Sequence, residues 1–346
     1  MDHAIFAFRR RRPGPSKGGQ TLAPALPKLL PMQAILSTPE GAQLREVQAP
    51  VPRPNEILVQ VRAASLNRAD LAGLAAKDGK PLGMEWAGEV IAVGSEVRKH
   101  KPGDRVMCTG AGAFAEQAVT DFGRAVKIPD GIPFQEATIL MLALQTMHNA
   151  IATHGKLVRG ETVMIHGASS GVGLMGLQIA KLLGASKVIG TSTNAERRAR
   201  LAEFGADLAV DSRDPGWVEQ VVAATDGKGV DVIVDQVTGP DFNRTMQAAA
   251  VLGRIVNVGR LGGGEGPFDF QLHALRRITY TGVTFRTRSV EEIRELTTRM
   301  AADLSAAVAG RRLRLPIDKV YPIGQAAAAF ERMRGNAHFG KIVLSL

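Results

Sequence analysis

Two kinds of hydrophobic pattern divide the chain. From Met32 to about residue 133, apolar and polar positions alternate in short runs such as residues 57–63, and turn segments such as Lys101-Pro-Gly-Asp104 separate the runs. Alternation with a period of two is typical of strands that bury one face. This part of the chain is predicted to be a compact, mostly antiparallel β domain.

After about residue 134, short apolar strands alternate with helical segments. The predicted strands cover residues 162–166, 187–191, 209–211, 231–235, 254–259 and 279–284. Strands separated by helices require right-handed crossovers, which produce a parallel, doubly wound sheet. A closing segment, residues 317–346, ends on the apolar residues 342–344 and is expected to return to the first domain.

The sharpest local signal is the segment His166-Gly-Ala-Ser-Ser-Gly-Val-Gly173. It follows an apolar strand and opens a helix whose apolar residues recur at spacings of three and four. A glycine-rich turn in this place lets the backbone approach a pyrophosphate, whose charge is met by free amides and by the positive end of the helix dipole. The pattern predicts a dinucleotide site, and a tight structural turn is the alternative.

The residues after the next strand bear on the choice between NAD and NADP. An NAD site usually carries Asp or Glu about 20 residues downstream, on the ribose hydroxyl. Here strand 187–191 runs into Ser192-Thr-Asn-Ala195, and Arg197 follows in the first helical turn. An arginine in this place can bind the 2′-phosphate that distinguishes NADPH from NADH, so NADPH is the predicted cofactor. Glu196 remains a counter-argument, because it would reach a ribose if the loop bent differently; Arg198 and Arg200 are expected to form a solvated helix face.

Composition narrows the class of protein. The 346 residues are 45% hydrophobic and 22% charged, which indicates a globular chain with room for two domains, and no run approaches the roughly 20 apolar residues of a membrane span. The lone Cys108 excludes an intrachain disulfide framework and a four-cysteine zinc site. Its apolar surroundings predict a buried structural thiol. A cytoplasmic protein is expected.

Half of the net charge of +10 belongs to the N-terminal segment. Residues 1–31 contain six basic residues and one acidic residue, and they are rich in Pro, Gly and Ala without any helical or alternating pattern. The segment is therefore predicted to be a disordered extension without a secretion signal. A nucleic-acid-binding arm is disfavoured because aromatic and basic residues are not interleaved there.

Six segments together resemble the medium-chain dehydrogenase/reductase superfamily, and within it the zinc-free quinone oxidoreductases related to zeta-crystallin. They are Ala64-Ser-Leu-Asn-Arg-Ala-Asp-Leu71, Gly83-Met-Glu-Trp-Ala-Gly88, Lys101-Pro-Gly-Asp-Arg-Val106, His166 to Gly173, Asn257-Val-Gly259 and Gly340-Lys-Ile-Val-Leu344. The similarity extends from Met32 to Leu346.

The resemblance implies an α/β fold with two domains. A Rossmann doubly wound parallel sheet that binds NADPH would occupy residues 134–284, and a GroES-like, mostly antiparallel β domain would combine residues 32–133 with 285–346, after the extension 1–31. A cleft between them would receive nicotinamide and acceptor. The resemblance also implies a homodimer formed through the Rossmann sheets.

Zinc-dependent members of the superfamily carry metal ligands at three places where this sequence does not. The first place reads Asn67-Arg-Ala-Asp70, the second has Met84 instead of histidine, and the third reads Leu144-Gln-Thr146. Comparison with these members therefore implies that no metal is bound. Glu85, beside Met84, is expected to be a buried structural carboxylate paired with an arginine.

The resemblance also implies the site residues. Asn67 would lie near the nicotinamide and acceptor and donate to developing oxyanion charge, with a turn-stabilising role as the alternative, while Asp70 would orient this segment. The implied cofactor contacts are Thr146 and His148 beside the nicotinamide and phosphates, Ser170, Gly171 and Val172 at the pyrophosphate, Thr193, Arg197 and Ser212 around the adenosine phosphate, Val258, Gly259 and Arg260 on the nicotinamide-side loop, Phe285 and Arg286 at the domain junction, and Asn336 near the end of the chain. For His148 and His166, a core-packing role stays open, and Trp86 and Trp217 are expected to pack in the core.

Without a metal or an obvious acid–base dyad, the expected reaction is hydride transfer from NADPH to an acceptor that is already electrophilic. A quinone fits, because a hydrogen-bond donor can stabilise charge on its carbonyls. The alternative is an enoyl thioester or another activated alkene, which differs only in the substrate pocket. The expected partners are a small quinone or enone acceptor and a second copy of the chain, with no membrane and no nucleic acid; a non-enzymatic RNA-binding role is the less favoured reading.

Overall fold

The computed structural model describes residues 31–346. Residues 1–30, and with them nearly all of the predicted N-terminal extension, lie outside the described residues. In the described part, the predicted α/β architecture is confirmed: one sheet is parallel and flanked by helices, and the other is mostly antiparallel.

The antiparallel part consists of a two-stranded hairpin and a seven-stranded sheet. The hairpin pairs β1 (Pro31–Thr38) with β2 (Gly41–Gln48). The sheet has β3 (Glu56–Ser65), β4 (Glu85–Val93), β5 (Arg105–Thr109), β6 (Gln117–Asp121), β7 (Ala125–Lys127), β14 (Ile317–Pro322) and β15 (Lys341–Ser345). Its order is β14-β15-β3-β4-β5-β7, and β6 pairs with β3. The last two strands of the chain therefore lie in the same sheet as β3, with β15 paired to β3.

The parallel sheet has six strands in the order β10-β9-β8-β11-β12-β13. They are β8 (Thr162–His166), β9 (Lys187–Thr191), β10 (Leu208–Val210), β11 (Val230–Asp235), β12 (Ala249–Asn257) and β13 (Thr279–Gly282). Every pair of neighbours is parallel. Strands β8, β9 and β11 are buried along nearly all of their length, which explains why they read as apolar runs in the sequence, whereas β13 at the edge of the sheet is largely exposed.

Ten α-helices complete the described chain. They are α1 (Asp70–Ala76), α2 (Phe134–Ala137), α3 (Met141–His148), α4 (Gly171–Leu182), α5 (Ala195–Ala199), α6 (Trp217–Ala224), α7 (Phe242–Ala248), α8 (Phe270–Arg276), α9 (Val290–Ala309) and α10 (Ala326–Arg334). A π-helical turn, Asn149–His154, continues α3. None of the helices in residues 31–346 combines the length and apolar character needed to cross a bilayer.

Helix α9 lies between the two sheets. It begins at a capping box in which the side chains of Ser289 and Glu292 each bond the other residue's backbone amide. Met300 and Leu304 pack into the core around α3 and α4, while Arg294 forms a two-bonded ion pair with Asp121 of β6 at 2.6 and 2.9 Å. The helix thereby joins the parallel-sheet part to the antiparallel part.

The cores confirm three predictions about packing residues. Trp86 and Cys108 are buried in the core of the antiparallel sheet, and Trp217 is buried against one face of the parallel sheet. Burial raises the pKa of the Cys108 thiol above its ordinary value. Cys108 is therefore a structural, unreactive thiol.

Candidate functional site

The strand order of the parallel sheet creates a crevice at its carboxyl edge. Strand β8 lies between β9 and β11, so the connections that leave β8 and β11 run to opposite sides of the sheet. In open parallel sheets, ligands bind in the crevice at such a switch point. The glycine-rich turn of residues 167–170 lies here, between the end of β8 and the start of α4.

The glycine-rich turn has the geometry of an anion cradle. Ser170 caps α4: its hydroxyl accepts a hydrogen bond from the amide of Gly173 at 2.9 Å. Gly167 has a φ of 83°, which glycine adopts without strain. A Cβ on Gly173 would lie 2.7 Å from the backbone of Ala168. The turn therefore needs glycine for tight packing, and it presents the amino end of α4 to the crevice as a dinucleotide site requires.

Gln236 ties the glycine-rich turn to the other half of the crevice, and the sequence analysis missed it. Its side-chain amide donates to the carbonyl of Gly167 at 3.1 Å, and its oxygen accepts from the Ser170 hydroxyl at 3.0 Å. A Cβ on Gly259 would lie 2.7 Å from the Gln236 carbonyl oxygen. The only signal in the sequence was its place directly after a predicted strand, which many loop residues share.

The predicted adenosine-side residues follow β9. Arg197 is half-buried in the first turn of α5, and its backbone amide bonds to the capping Asn194 at 2.9 Å. Glu196 is exposed. Arg198 corrects one expectation, because it is not a solvated residue: its guanidinium bonds Asp211 at 3.0 Å and the Ser192 carbonyl at 2.8 Å. These bonds hold the loop after β9 against the end of β10.

Asn336 joins the two parts of the molecule beside Arg197. It has a φ of 52°, its carbonyl accepts a hydrogen bond from Arg197, and its side-chain oxygen accepts one from Arg68 at 3.0 Å. His338 lies near the same arginines, and burial, followed by the charge of Arg68, lowers its pKa to about 4. Near neutral pH, His338 therefore adds no positive charge to that of Arg68, Arg197 and Arg332 around it.

The remaining predicted cofactor residues occupy different surroundings. The fold brings seven of them to one edge of the parallel sheet, at or just beyond the carboxyl ends of strands β8, β9, β10 and β12. These are residues 171–172, 193, 212 and 258–260. Thr146 is half-buried on α3, Arg260 and Arg286 are exposed, and Phe285 is half-buried beneath Arg288.

His148 and His166 are both buried away from open solvent. The Nε2 atom of His148 lies 2.6 Å from a carboxylate oxygen of Asp303 on α9. His166 packs edge-on against Trp217, and its Nδ1 lies 3.3 Å from the Thr245 hydroxyl. Burial lowers the pKa of His166. Both contacts agree with core-packing roles for these two side chains.

A second polar cluster is buried at the facing ends of β3, β4 and β15. One oxygen of Glu85 accepts hydrogen bonds from the Ser65 hydroxyl at 2.7 Å, the Asn67 amide at 3.0 Å and the Lys341 ammonium at 2.9 Å. The other accepts from the backbone amide of Leu142 at 2.7 Å. Glu85 is thus a buried structural carboxylate as expected, but the predicted arginine partner is wrong: the cation is Lys341.

This cluster adjoins the glycine-rich turn directly. A Cβ on Gly171 would lie 2.8 Å from Cδ of Lys341, and the backbones of Ser170 and Gly340 form an isolated parallel bridge. Asn67 is linked to Lys341 by a 2.6 Å hydrogen bond. The side chain of Lys341 therefore connects Asn67 to the amino end of α4, at the junction of the two sheets.

Asp70 orients the segment that carries Asn67. Its carboxylate accepts a 2.7 Å hydrogen bond from the Asn67 backbone amide. Burial raises the pKa of Asp70 from 3.8 to about 7; the Asn67 bond and Lys341 oppose this rise, and Glu85 adds to it. The carboxyl group therefore holds its proton more tightly in the folded protein than in the unfolded chain.

Replacing Asp70 with asparagine should change how stability depends on pH. The raised folded-state pKa means that the contribution of Asp70 to wild-type stability falls as pH rises from about 4 to about 7, by up to about 4 kcal/mol, and is constant above that range. Asparagine keeps an acceptor for Asn67 and stays neutral, so Tm of Asp70→Asn minus Tm of wild type should increase between pH 5 and pH 8. The exposed Asp130→Asn is the control. A difference that does not change with pH would contradict the assignment.

Among residues 31–346, no group of three or more His, Cys, Asp or Glu side chains is arranged to hold a metal ion. The close packing of the backbone along the crevice supports the dinucleotide prediction: a Cβ on Gly171, Gly173 or Gly259 would collide with Lys341, Ala168 or Gln236, respectively. The site therefore suits a pyrophosphate at the amino end of α4 and an acceptor near Asn67.

Comparisons with known proteins agree with this geometry. Residues 53–130 match the model of the alcohol dehydrogenase GroES-like domain, and residues 171–302 match that of the zinc-binding dehydrogenase family. A quinone oxidoreductase of Pseudomonas aeruginosa is 32% identical over 90% of this chain and 97% of its own length. The chain belongs to the quinone oxidoreductase family of the medium-chain dehydrogenase/reductase superfamily.

Solved structures and longer relatives extend the comparison. A mycobacterial protein in complex with NADPH has a TM-score of 0.80 and 26% identity, covering 91% of this chain and all of that one. The enoyl reductase CurK has a TM-score of 0.79 and 26% identity, covering 91% and 99%. The chain spans only 15% and 12% of two polyketide synthases that it also matches, one from Mycolicibacterium smegmatis and one from Hypomyces subiculosus.

Proposed function

We propose that the protein is a cytoplasmic, metal-free reductase that transfers hydride from NADPH to a quinone. The observation that carries the proposal is the direct contact between two clusters: the glycine-rich turn at Gly171 and the buried cluster that holds Asn67 meet through Lys341. The near-full-length similarity to a quinone oxidoreductase supports the choice of acceptor.

NADPH would be held along the carboxyl edge of the parallel sheet. The amino end of α4 would receive the pyrophosphate, and Arg197 would receive the 2′-phosphate, because no acidic side chain ends β9. The structure of a mycobacterial relative with NADPH supports this cofactor. When bound, the nicotinamide supplies the hydride, and the chain supplies position and electrostatic stabilisation.

Asn67 would act on the acceptor. Reduction of a quinone carbonyl places negative charge on its oxygen, and a fixed amide donor stabilises that charge. Asp70 holds the backbone of Asn67, and the oxygen then takes a proton from solvent. The protein therefore needs to provide neither a metal nor a dedicated acid for this reaction.

An assay of cofactor oxidation tests the proposal. The chelator-treated protein is mixed with NADPH or NADH and with an ortho-quinone, a para-quinone or crotonyl-CoA, and absorbance at the reduced nicotinamide band is followed. We expect NADPH oxidation with a quinone, unchanged by the chelator. Activity that disappears on chelation would contradict the metal-free mechanism, and silence with all three acceptors would contradict the enzyme assignment.

A second candidate is reduction of an enoyl thioester. The observation that favours it is the structural match to an enoyl reductase over nearly all of both chains. The same hydride would add to the β carbon, and Asn67 would stabilise the enolate oxygen. Turnover of crotonyl-CoA without turnover of either quinone would favour this candidate.

The homodimer is proposed to form along the outer edge of the parallel sheet. Strand β13 is the last strand in the sheet order, and beside it lies a group of exposed apolar side chains: Val251, Leu252, Phe270, Leu275 and Tyr280. Apolar side chains grouped at an open sheet edge indicate a protein interface.

A charge placed on this edge should break the dimer. Tyr280→Lys puts a cation on β13, and we expect the mass from light scattering to fall to that of a monomer. Val51→Lys, at an exposed apolar residue of the other domain, is the control and should leave the mass unchanged. A wild-type protein that is monomeric, or a Tyr280→Lys protein that remains dimeric, would contradict this interface.

A further inference from the structure

Lys341 is a buried cation that the proposed reaction has not yet used. Its side chain is only 5% exposed, and that of its partner Glu85 is fully buried. The ammonium donates to Asn67 Oδ1 at 2.6 Å and to Glu85 Oε2 at 2.9 Å, and the same Glu85 oxygen accepts from Asn67 Nδ2 at 3.0 Å. The three side chains therefore form a closed ring of hydrogen bonds.

The ring fixes the orientation of the Asn67 amide. If the amide rotated by half a turn, its NH2 group would face the ammonium and its oxygen would face the carboxylate, so two attractive contacts would become repulsive. The charge of Lys341 enforces this choice, because both it and Glu85 are removed from water. An amide in a neutral or solvated site would have no comparable preference.

The ring also leaves one donor of Asn67 weakly engaged. The first N–H of Nδ2 points to Glu85, while the second has only the Ser65 carbonyl at 3.4 Å, near the limit of a hydrogen bond. This second N–H is the one that an acceptor oxygen can take over at little cost. The two N–H groups of Asn67 Nδ2 therefore differ: one is bonded to Glu85 and holds the side chain in place, and the other is available to an acceptor.

The aliphatic part of the Lys341 side chain places the ring of hydrogen bonds beside the cofactor crevice. Its Cγ and Cδ atoms pack where a side chain on Gly171 would lie, so the lysine touches the first residue of α4 while its ammonium holds Asn67. The bridge between Ser170 and Gly340 fixes the backbone on either side of this contact. One residue therefore sets the distance between Asn67 and the amino end of the nucleotide-binding helix.

We propose that Lys341 is a positioning residue for the reduction: together with Glu85 it locks the Asn67 amide so that the N–H held only by the long Ser65 contact is available to the oxygen of the acceptor. This inference rests on the proposed function, since the acceptor is the group to be positioned. Hydride transfer adds two electrons to the acceptor, its oxygen becomes negative, and the free N–H stabilises that oxygen until solvent supplies the proton.

The test compares Glu85→Gln with the double variant Glu85→Gln/Lys341→Met. Both proteins lack the Glu85 carboxylate, so they differ only at Lys341. Removing Lys341 alone would leave Glu85 buried without a cation; in Glu85→Gln the ammonium loses its ion partner but keeps the Asn67 oxygen as an acceptor, and the double variant contains neither charge. We expect kcat with a quinone to be at least about tenfold lower in the double variant than in Glu85→Gln, with KM for NADPH within about threefold. Lys181→Met, which removes the partner of Asp207 near the other end of α4, is the control for losing a lysine.

The kinetic outcomes separate the possible roles of Lys341. Equal kcat values in the double variant and Glu85→Gln would overturn the proposal, because Lys341 would then be only a structural partner of Glu85. An effect confined to KM for NADPH would also overturn it, because Lys341 would then act on the cofactor. A wild-type protein that reduces no acceptor would instead reject the proposed function.

A second measurement does not depend on turnover. The side-chain amide of Asn67, identified by its loss in Asn67→Asp after selective 15N labelling of asparagine, reports its own hydrogen exchange. We expect exchange in the double variant to be at least about tenfold faster than in Glu85→Gln, because the amide has lost its charged partner. Equal exchange rates in the two proteins would overturn the lock even if the acceptor is still unknown.

Discussion

Gly173→Ala should raise KM for NADPH at least about tenfold and lower the free energy of unfolding by about 1–3 kcal/mol. The added Cβ would lie 2.7 Å from both Cα and the carbonyl oxygen of Ala168, and backbone atoms cannot turn aside as a flexible side chain can. The glycine-rich turn must therefore shift. The shift would disturb the bond between the Gly173 amide and the Ser170 hydroxyl, and with it the amino end of α4.

Thermal melting with and without NADPH, together with KM, measures both effects of Gly173→Ala. Gly324→Ala is the matched control, because no atom lies within 4 Å of its added Cβ and its φ is not positive. A Gly173→Ala protein that binds NADPH like the wild type would show that the turn adapts, and the cofactor would then have to be placed elsewhere.

Arg197→Glu should raise KM for NADPH by about 10- to 100-fold and change KM for NADH by less than about threefold. The guanidinium is half-buried after β9, it contacts the Asn336 carbonyl, and it would form charge-assisted hydrogen bonds with a 2′-phosphate. Such bonds contribute about 1.5–3 kcal/mol, and a carboxylate in the same place would repel the phosphate.

Steady-state kinetics with both cofactors decides the role of Arg197. Arg200→Gln is the control, because Arg200 lies three residues further on and pairs with Glu203 at the surface. Its KM for NADPH should change less than twofold. Equal increases of KM for NADPH and NADH in Arg197→Glu would remove Arg197 from the 2′-phosphate site and leave the choice of cofactor to other residues.

Much of the fold could be predicted because the signals for strands, turns and helix starts lie within short stretches of sequence. Strands β8 and β9 end where the apolar runs at 162–166 and 187–191 end, and Ser170 caps α4 next to the glycines that revealed the turn. Boundaries were less certain where the apolar run continued into a turn. The predicted strand 254–259, for example, begins after and ends beyond the observed β12, which is Ala249–Asn257.

The polar contacts of the site were harder to predict because they join distant parts of the chain. Glu85 and Lys341 are 256 residues apart, and Glu85 was given an arginine partner because a sequence does not state which buried cation will meet a buried carboxylate. His148 and Asp303 are 155 residues apart, so neither segment alone indicates the 2.6 Å contact between them. The cofactor role that the resemblance implies for His148 stays a prediction.

Because Cys108 is buried, the folded protein should not react with thiol reagents. Because the sequence has no other cysteine and burial raises the pKa of this thiol, a maleimide dye should find no site on the folded wild type. A cysteine introduced on an exposed residue of each domain would then carry the only labels. Distances between two such dyes would report in solution whether the crevice closes when a nucleotide binds.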